Sequence, residues 1–208
     1  MLTLYTGTQS PNPSYIHTPL IEICKAQNQA ALKQAAKQVE QYNYLLFTSR
    51  YAVQHWAEHC NISQLRAKPI IVSIGNSTTQ ALQLSGAQNI EQVEHDNSYG
   101  VAQWFAKQPR GRVLIPRSNL ALPIIPNKLT ELNFSVDTVI AYENRMPQQP
   151  HKVDLNTIER IIFTSPSTIN NFIKLYGTLP LSKQLIARGI VTQQHLNNII
   201  EKQIKNII

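Results

Sequence analysis

LLFTSRYAVQHW (Leu45–Trp56) opens as an apolar run, breaks on Thr48-Ser49 and resumes as a helical pattern. The same order returns in IIFTSPSTINNF (Ile161–Phe172). The two copies stand roughly 115 residues apart, too far for a solenoid repeat and close to the size of a small domain. Downstream the echo continues: IVSIGNSTTQAL (Ile71–Leu82) is answered by QLIARGIVTQQHL (Gln184–Leu196), where Gly75 and Gly189 keep the register to within two residues. A duplicated domain is the simplest reading, and a chain of 208 residues accommodates two small domains, each just large enough to bury a core.

Each copy sets a short β-rich run before a helix. That alternation extends through the chain, the pattern of a mostly parallel sheet flanked by helices. In the middle of the chain strands are expected near Tyr44–Thr48, Ile70–Ile74, Asn89–Val93, Arg112–Pro116 and Ser135–Ile140. Helices are expected over Gln29–Tyr42, where Ala31, Leu32, Ala35, Ala36 and Val39 form one stripe at helical spacing, and over Arg50–Cys60, Ser77–Leu84, Tyr99–Lys107 and Pro126–Leu132. The other strands fall at Leu2–Thr6, Arg160–Thr164 and Lys183–Ala187, with helices after the last two, so the N-terminal strand joins the C-terminal half. Between Thr6 and Leu20, Pro11, Pro13 and Pro19 forbid an ordinary crossover helix. Tyr15–Ile23 and Thr138–Asn144 then become two extended crossings, open to pairing as a two-stranded ladder.

A net charge of +7 and a pI near 9.5 favour an anionic partner. Lys and Arg are scattered singly from Lys25 to Lys205, without the basic block or interleaved aromatics of a nucleic-acid groove, so no nucleic-acid partner is expected. Two cysteines, Cys24 and Cys60, make no disulfide framework, and the N-terminus lacks the basic then apolar build of a signal peptide. No apolar run approaches the roughly 20 residues a membrane helix needs. A cytoplasmic protein with reduced thiols and no membrane partner is expected. The seven glycines spell neither G-x-G-x-x-G nor G-x-x-x-x-G-K-[ST], which argues against a nucleotide cofactor.

Six stretches in one order carry a family resemblance: PLIEI (Pro19–Ile23), FTSRYAV (Phe47–Val53), SIGNSTTQAL (Ser73–Leu82) with SGAQNI (Ser85–Ile90), NKLTELNFSVDTVIAYEN (Asn127–Asn144), IIFTSPSTINNF and the weaker ARGIVTQQHL (Ala187–Leu196). Over nearly the whole chain they resemble the uroporphyrinogen-III synthase family. The resemblance implies an α/β protein of two Rossmann-like or flavodoxin-like parallel-sheet domains, the central one inserted into the discontinuous first through a two-stranded linker. On that pattern residues 1–18 and 146–208 form the first domain, 19–27 and 138–145 the linker strands, and 28–137 the inserted domain. It further implies a lyase of tetrapyrrole (haem) biosynthesis that closes hydroxymethylbilane into uroporphyrinogen III, inverting ring D, with no metal or organic cofactor. Loss of the terminal hydroxyl gives an azafulvene cation, the substituted carbon of the last ring attacks through a spiro intermediate, and the ring reattaches turned around. Spontaneous closure gives the uninverted isomer, so positioning and charge stabilisation select the product. A relative that binds tetrapyrroles without turnover is the alternative.

In open parallel sheets ligands sit beyond the carboxyl ends of strands, where each echoed motif places its polar residues. Thr48, Ser49, Ser77, Thr78, Ser165 and Ser167 stand at helix starts, where they either help receive substrate carboxylates or cap their own helices. Thr192 occupies the matching place in the last echo. Arg50, Arg117, beside Ser118, and Arg188 end strands or begin loops near the same edge, and a guanidinium fork suits carboxylates. Tyr142, in VIAYEN, falls on the family's tyrosine at the second crossing, which the resemblance assigns as the acid that assists departure of the hydroxyl. A phenol with a pKa near 10 is protonated and able to donate. His55-Trp56-Ala57-Glu58-His59 spells H-x-x-E-H, a zinc pattern. Yet Cys60 points to another helix face, no distant acidic ligand accompanies the pair, and Trp56 reads as a core anchor, so no metal site is assigned.

The chain departs from the family in its first domain. The opening strand leads into a proline-rich link instead of a helix, RGIVT stands in place of a Gly-Pro-Thr-Thr type of turn, and the sequence ends after Thr192–Lys205, before the family's last strand and helix. A shortened domain is expected to be monomeric, or else to dimerise through the face left uncovered, with IEKQIKNII (Ile200–Ile208) packing there.

Overall fold

The computed structural model describes residues 2–65 and 69–206. Along the chain, β1 (Thr3–Tyr5) and β2 (Ile16–His17) precede β3 (Glu22–Lys25), α1 (Ala30–Lys37) and β4 (Tyr44–Phe47). Then come α2 (Arg50–Ala57), β5 (Ile70–Ser73), α3 (Asn76–Leu84), β6 (Ile90–Gln92), α4 (Ser98–Ala106), β7 (Arg112–Ser118) and α5 (Ile124–Glu131). The long β8 (Ser135–Arg145) is followed by β9 (Arg160–Phe163), α6 (Pro166–Tyr176), β10 (Gln184–Ala187) and α7 (Ile190–Lys205). Two compact units result, Met1–Ile23 with Arg145–Ile208, and Cys24–Asn144.

Two parallel sheets give the α/β fold expected from the alternation of elements. In the split unit the order is β10-β9-β1-β2, every neighbour parallel. In the other sheet the order is β3-β8-β7-β4-β5-β6, and the four pairs from β8 to β6 are parallel. The central β4 is buried along its whole length, the mark of a strand covered on both faces. Its side chains alternate between two layers. Tyr44 and Leu46 join Val113, Ile115, Phe105 and Phe134 on one face, whereas Phe47 packs edge-on against Trp56 of α2 at 6.2 Å between ring centroids. The split unit has its own core, in which Leu4, Ile161, Phe163, Phe172 and Leu196 meet.

The internal repeat survives in three dimensions. Phe47 and Phe163 are both fully buried, and Ser49 and Ser165 are the N-caps of α2 and α6. Gly75 and Gly189 hold φ of 78° and 87° at the starts of α3 and α7, a backbone that side chains disfavour. Three residues on, Thr78 and Thr192 turn inward and are buried. Ser165 completes a capping box: its Oγ accepts from Thr168 N at 3.4 Å, while Thr168 Oγ1 accepts from Ser165 N at 3.3 Å. Ser165→Ala is therefore expected to cost about 1 kcal/mol, read as a shift in the chemical denaturation midpoint at unchanged slope.

Three expectations change in detail. The first crossing is not one strand: Ile16–His17 pair in parallel with β1, and only Glu22–Lys25 reach β8. Pro19, without an N–H for a ladder, lies between the two pieces. β3 and β8 are thus neighbours, but as the edge of the six-stranded sheet rather than a free ladder. The helix expected over Gln29–Tyr42 ends at Lys37 and tightens into a 3-10 turn over Val39–Gln41, which keeps Val39 and Tyr42 buried. α7 packs on its own unit, with Leu196 in the core, Ile199 and Ile200 against it, and the Gln203 amide bracketing the backbone of Leu179 at 2.8 and 3.0 Å. Ile207 and Ile208, the end of IEKQIKNII, lie outside the described residues.

Candidate functional site

The carboxyl ends of β4, β7 and β8 gather the polar residues of the central unit. Ser49 follows β4, and its Oγ accepts both from Tyr51 N at 3.2 Å and from the Tyr142 hydroxyl at 3.1 Å. With both acceptor positions used, its own proton is left to donate. Tyr142 is 7% exposed. Burial pushes its phenol above the ordinary tyrosine range and the nearby Tyr51 adds to that, while hydrogen bonds with Ser49 and Ser118 partly oppose. The phenol is a proton carrier at neutral pH.

Aromatic rings close round it. Tyr51 lies 5.8 Å from the Tyr142 ring and His55 stacks nearly parallel to it at 6.1 Å, with 19° between planes. His55 Nδ1 faces Glu58 Oε1 at 3.4 Å, and Glu58 Oε2 accepts from Lys25 Nζ at 2.6 Å, which holds that carboxyl below its usual range. The H-x-x-E-H stretch thereby backs a tyrosine. Among the described residues no three His, Cys, Asp or Glu side chains are grouped to hold a metal ion.

The remaining expected residues of this unit divide by exposure. Thr48 is half-buried in the turn, Ser77 is exposed on α3, and Thr78 points into the core, so any contact it makes with a ligand passes through backbone. Arg50 lays its guanidinium 4.9 Å from the Tyr51 ring centroid and donates to the Tyr51 hydroxyl at 3.0 Å. Arg117, made somewhat less basic by burial, donates to the carbonyl of Ala121. Ser118 Oγ donates to Asn119 Oδ1 at 3.1 Å and accepts from Leu120 N at 3.2 Å. Each guanidinium keeps further N–H donors.

In the split unit Ser165 caps α6, Ser167 is half-buried in its first turn, and Thr192 is buried in α7. Arg188, exposed after β10, donates to the Tyr5 hydroxyl at 3.4 Å. Tyr5 in turn stacks on Tyr15 at 6.3 Å and lies 5.9 Å from His17. The sequence pattern did not single out Tyr5, Tyr15, Tyr51 or Asn119, and it offered His55 only as a zinc ligand; for Tyr5, its place at the carboxyl end of the first strand was the available signal.

A family model described as uroporphyrinogen-III synthase HemD matches residues 14–204. The chain belongs to the uroporphyrinogen-III synthase family. Among curated relatives, the porphyrin biosynthesis protein HemD of Ruminiclostridium josui is 26% identical over 177 residues, 80% of this chain. The chain spans about a third of that relative's length, 35% of it. Solved members of the synthase family share the architecture. A mutant uroporphyrinogen III synthase from the extremely thermophilic bacterium Thermus thermophilus superposes with a TM-score of 0.67 at 15% identity, over 95% of this chain and 89% of that one. The uroporphyrinogen-III synthetase from Helicobacter pylori gives 0.63 at 19% identity, over 95% and 88%. At these identities the likeness is one of fold. Among the described residues no helix is long and apolar enough to cross a membrane.

Proposed function

We propose that this chain is a uroporphyrinogen-III synthase, a lyase that cyclises hydroxymethylbilane with inversion of ring D. The observation that carries the reading is the Tyr142 phenol: buried, held protonated, and tied to Ser49 at the carboxyl end of β4 in a chain of this family. In the reaction Tyr142 gives its proton to the terminal hydroxyl as the carbon–oxygen bond breaks, water leaves, and the azafulvene cation forms beside the new phenolate. After the spiro intermediate opens and the ring reattaches, the proton lost from the pyrrole carbon balances the one given up. The remaining donor of Ser49, with Ser118, Arg50 and Arg117 at the neighbouring strand ends, suits the substrate's carboxylates. Ser77, Thr48 and Thr78 offer helix-start and turn backbone, and Ser165, Ser167, Arg188 and Thr192 are the matching set in the split unit.

One observation favours the alternative, binding without turnover. The first turn of α7 presents Ile190 and Val191, 78% and 49% exposed, where α3 has Asn76 and Ser77. The deciding experiment supplies freshly generated hydroxymethylbilane and measures the ratio of inverted to uninverted uroporphyrin after oxidation. Enrichment of the inverted isomer is expected. A ratio equal to the spontaneous one, from folded protein, overturns the synthase reading, and retained affinity for a linear tetrapyrrole would then support the binder.

A further inference from the structure

A strand tyrosine faces one side or the other by strict alternation, and the alternation of β8 points Tyr142 the wrong way. Thr138 is exposed, Val139 buried, Ile140 exposed at 46% and Ala141 buried, so an unbroken strand would turn Tyr142 outward with Ile140. It is buried instead. The register with β7 explains why: Arg117 pairs with Ile140, but Ser118 pairs with Tyr142, so Ala141 is an extra residue on β8. A bulge of this kind re-aims every side chain beyond it.

Past the bulge, one residue carries the pairing on, first with its backbone and then with its side chain. Asn119 N donates to the Tyr142 carbonyl at 3.2 Å, and Asn119 Oδ1 accepts from Asn144 N at 2.8 Å. The same Oδ1 accepts from Ser118 Oγ, and Ser118 is the residue whose backbone pairs with Tyr142. Asn119 thus holds the backbone at Tyr142 and two residues beyond it, and fixes the side chain of the serine paired with Tyr142. We propose that Asn119, acting on the Ala141 bulge, is the positioning residue that aims Tyr142 at Ser49. The inference rests on the assignment of Tyr142 as the acid and adds the device that presents it.

The test compares Asn119→Ala with Asn119→Asp in the 208-residue chain. Asn119 is exposed, so neither change opens the core. Asn119→Ala removes the acceptor for Asn144, and kcat is expected to fall about 10-fold with KM within about twofold, as for a misplaced acid. Asn119→Asp keeps the acceptor oxygen, so kcat is expected to return to within about twofold of the parent, while its added charge raises KM for the polyanionic substrate. A second readout needs no turnover. In protein carrying 13C-labelled tyrosine, the Tyr142 ring signals, assigned by their loss in Tyr142→Phe, should shift or broaden in Asn119→Ala and recover in Asn119→Asp. Unmoved ring signals in Asn119→Ala, or no recovery in Asn119→Asp, overturn the proposal. A parent protein inactive with the bilane overturns the functional reading instead and leaves the ring-signal test standing.

Discussion

Phe163→Ala is expected to remove about 3–5 kcal/mol from the stability of the split unit. Phe163 is fully buried in the core formed with Leu4, Ile161, Phe172 and Leu196, and its ring meets Phe172 edge-on at 5.4 Å, close to perpendicular. Truncation loses both the burial of the ring and that contact, and leaves a cavity that β9, held on both sides by β1 and β10, can close only in part. A small domain holds only about 5–15 kcal/mol in all, so the loss takes a large share. Hydrogen exchange of the β1, β9 and β10 amides under mild denaturant is the measurement. Their protection should drop by about two to four orders of magnitude, as about 1.4 kcal/mol per tenfold requires. A loss below about 1 kcal/mol would mean that the unit does not depend on this ring, and that the repeat-related pair Phe47 and Phe163 is an accident of sequence.

The sequence made the parallel sheets legible because their signals are local. LLF before Thr48-Ser49 and IIF before Thr164-Ser165 are continuous apolar runs stopped by capping residues, and both become buried strands that lead into capped helices. Gly75 and Gly189 marked the register of the echo, and the reason glycine stands there is a positive φ at each strand-to-helix turn. What was not legible depends on pairing. Nothing in TVIAYEN shows that Ala141 is skipped by the neighbouring strand, because a bulge is a relation between two strands. Nor does H-x-x-E-H show that His55 will lie against a tyrosine 87 positions onward, since helix spacing fixes which side chains share a face and not what that face meets. Thr78 and Thr192 illustrate the same limit. Both stand at helix starts, as expected, but their side chains are buried, so their polar groups serve the fold more directly than a ligand.

Replacing Tyr142 by phenylalanine should separate the acid from the scaffold. The ring, its stacking on His55 and its burial remain, and only the hydroxyl that donates to Ser49 is lost. Stability is expected to change by about 0.5–1.5 kcal/mol, the value of one hydrogen bond. Turnover of hydroxymethylbilane is expected to fall about 10- to 100-fold, at the lower end for an acid catalyst because the bilane already ionises readily in water. KM should stay within about twofold, since the proton is shared with the departing hydroxyl only in the transition state. The product still formed on the protein should remain the inverted isomer, because the fold of the bound bilane, and not the proton, selects it. Burial, the largest influence on this phenol, raises its pKa, so the neutral, donating form persists up to and beyond the usual value near 10. The parent should therefore show no loss of kcat from Tyr142 below that pH, and the alkaline fall above it should be missing from the variant. A variant with parental turnover would remove Tyr142 from the reaction, whereas a variant that released only the uninverted isomer would make its hydroxyl a part of the template that folds the bilane.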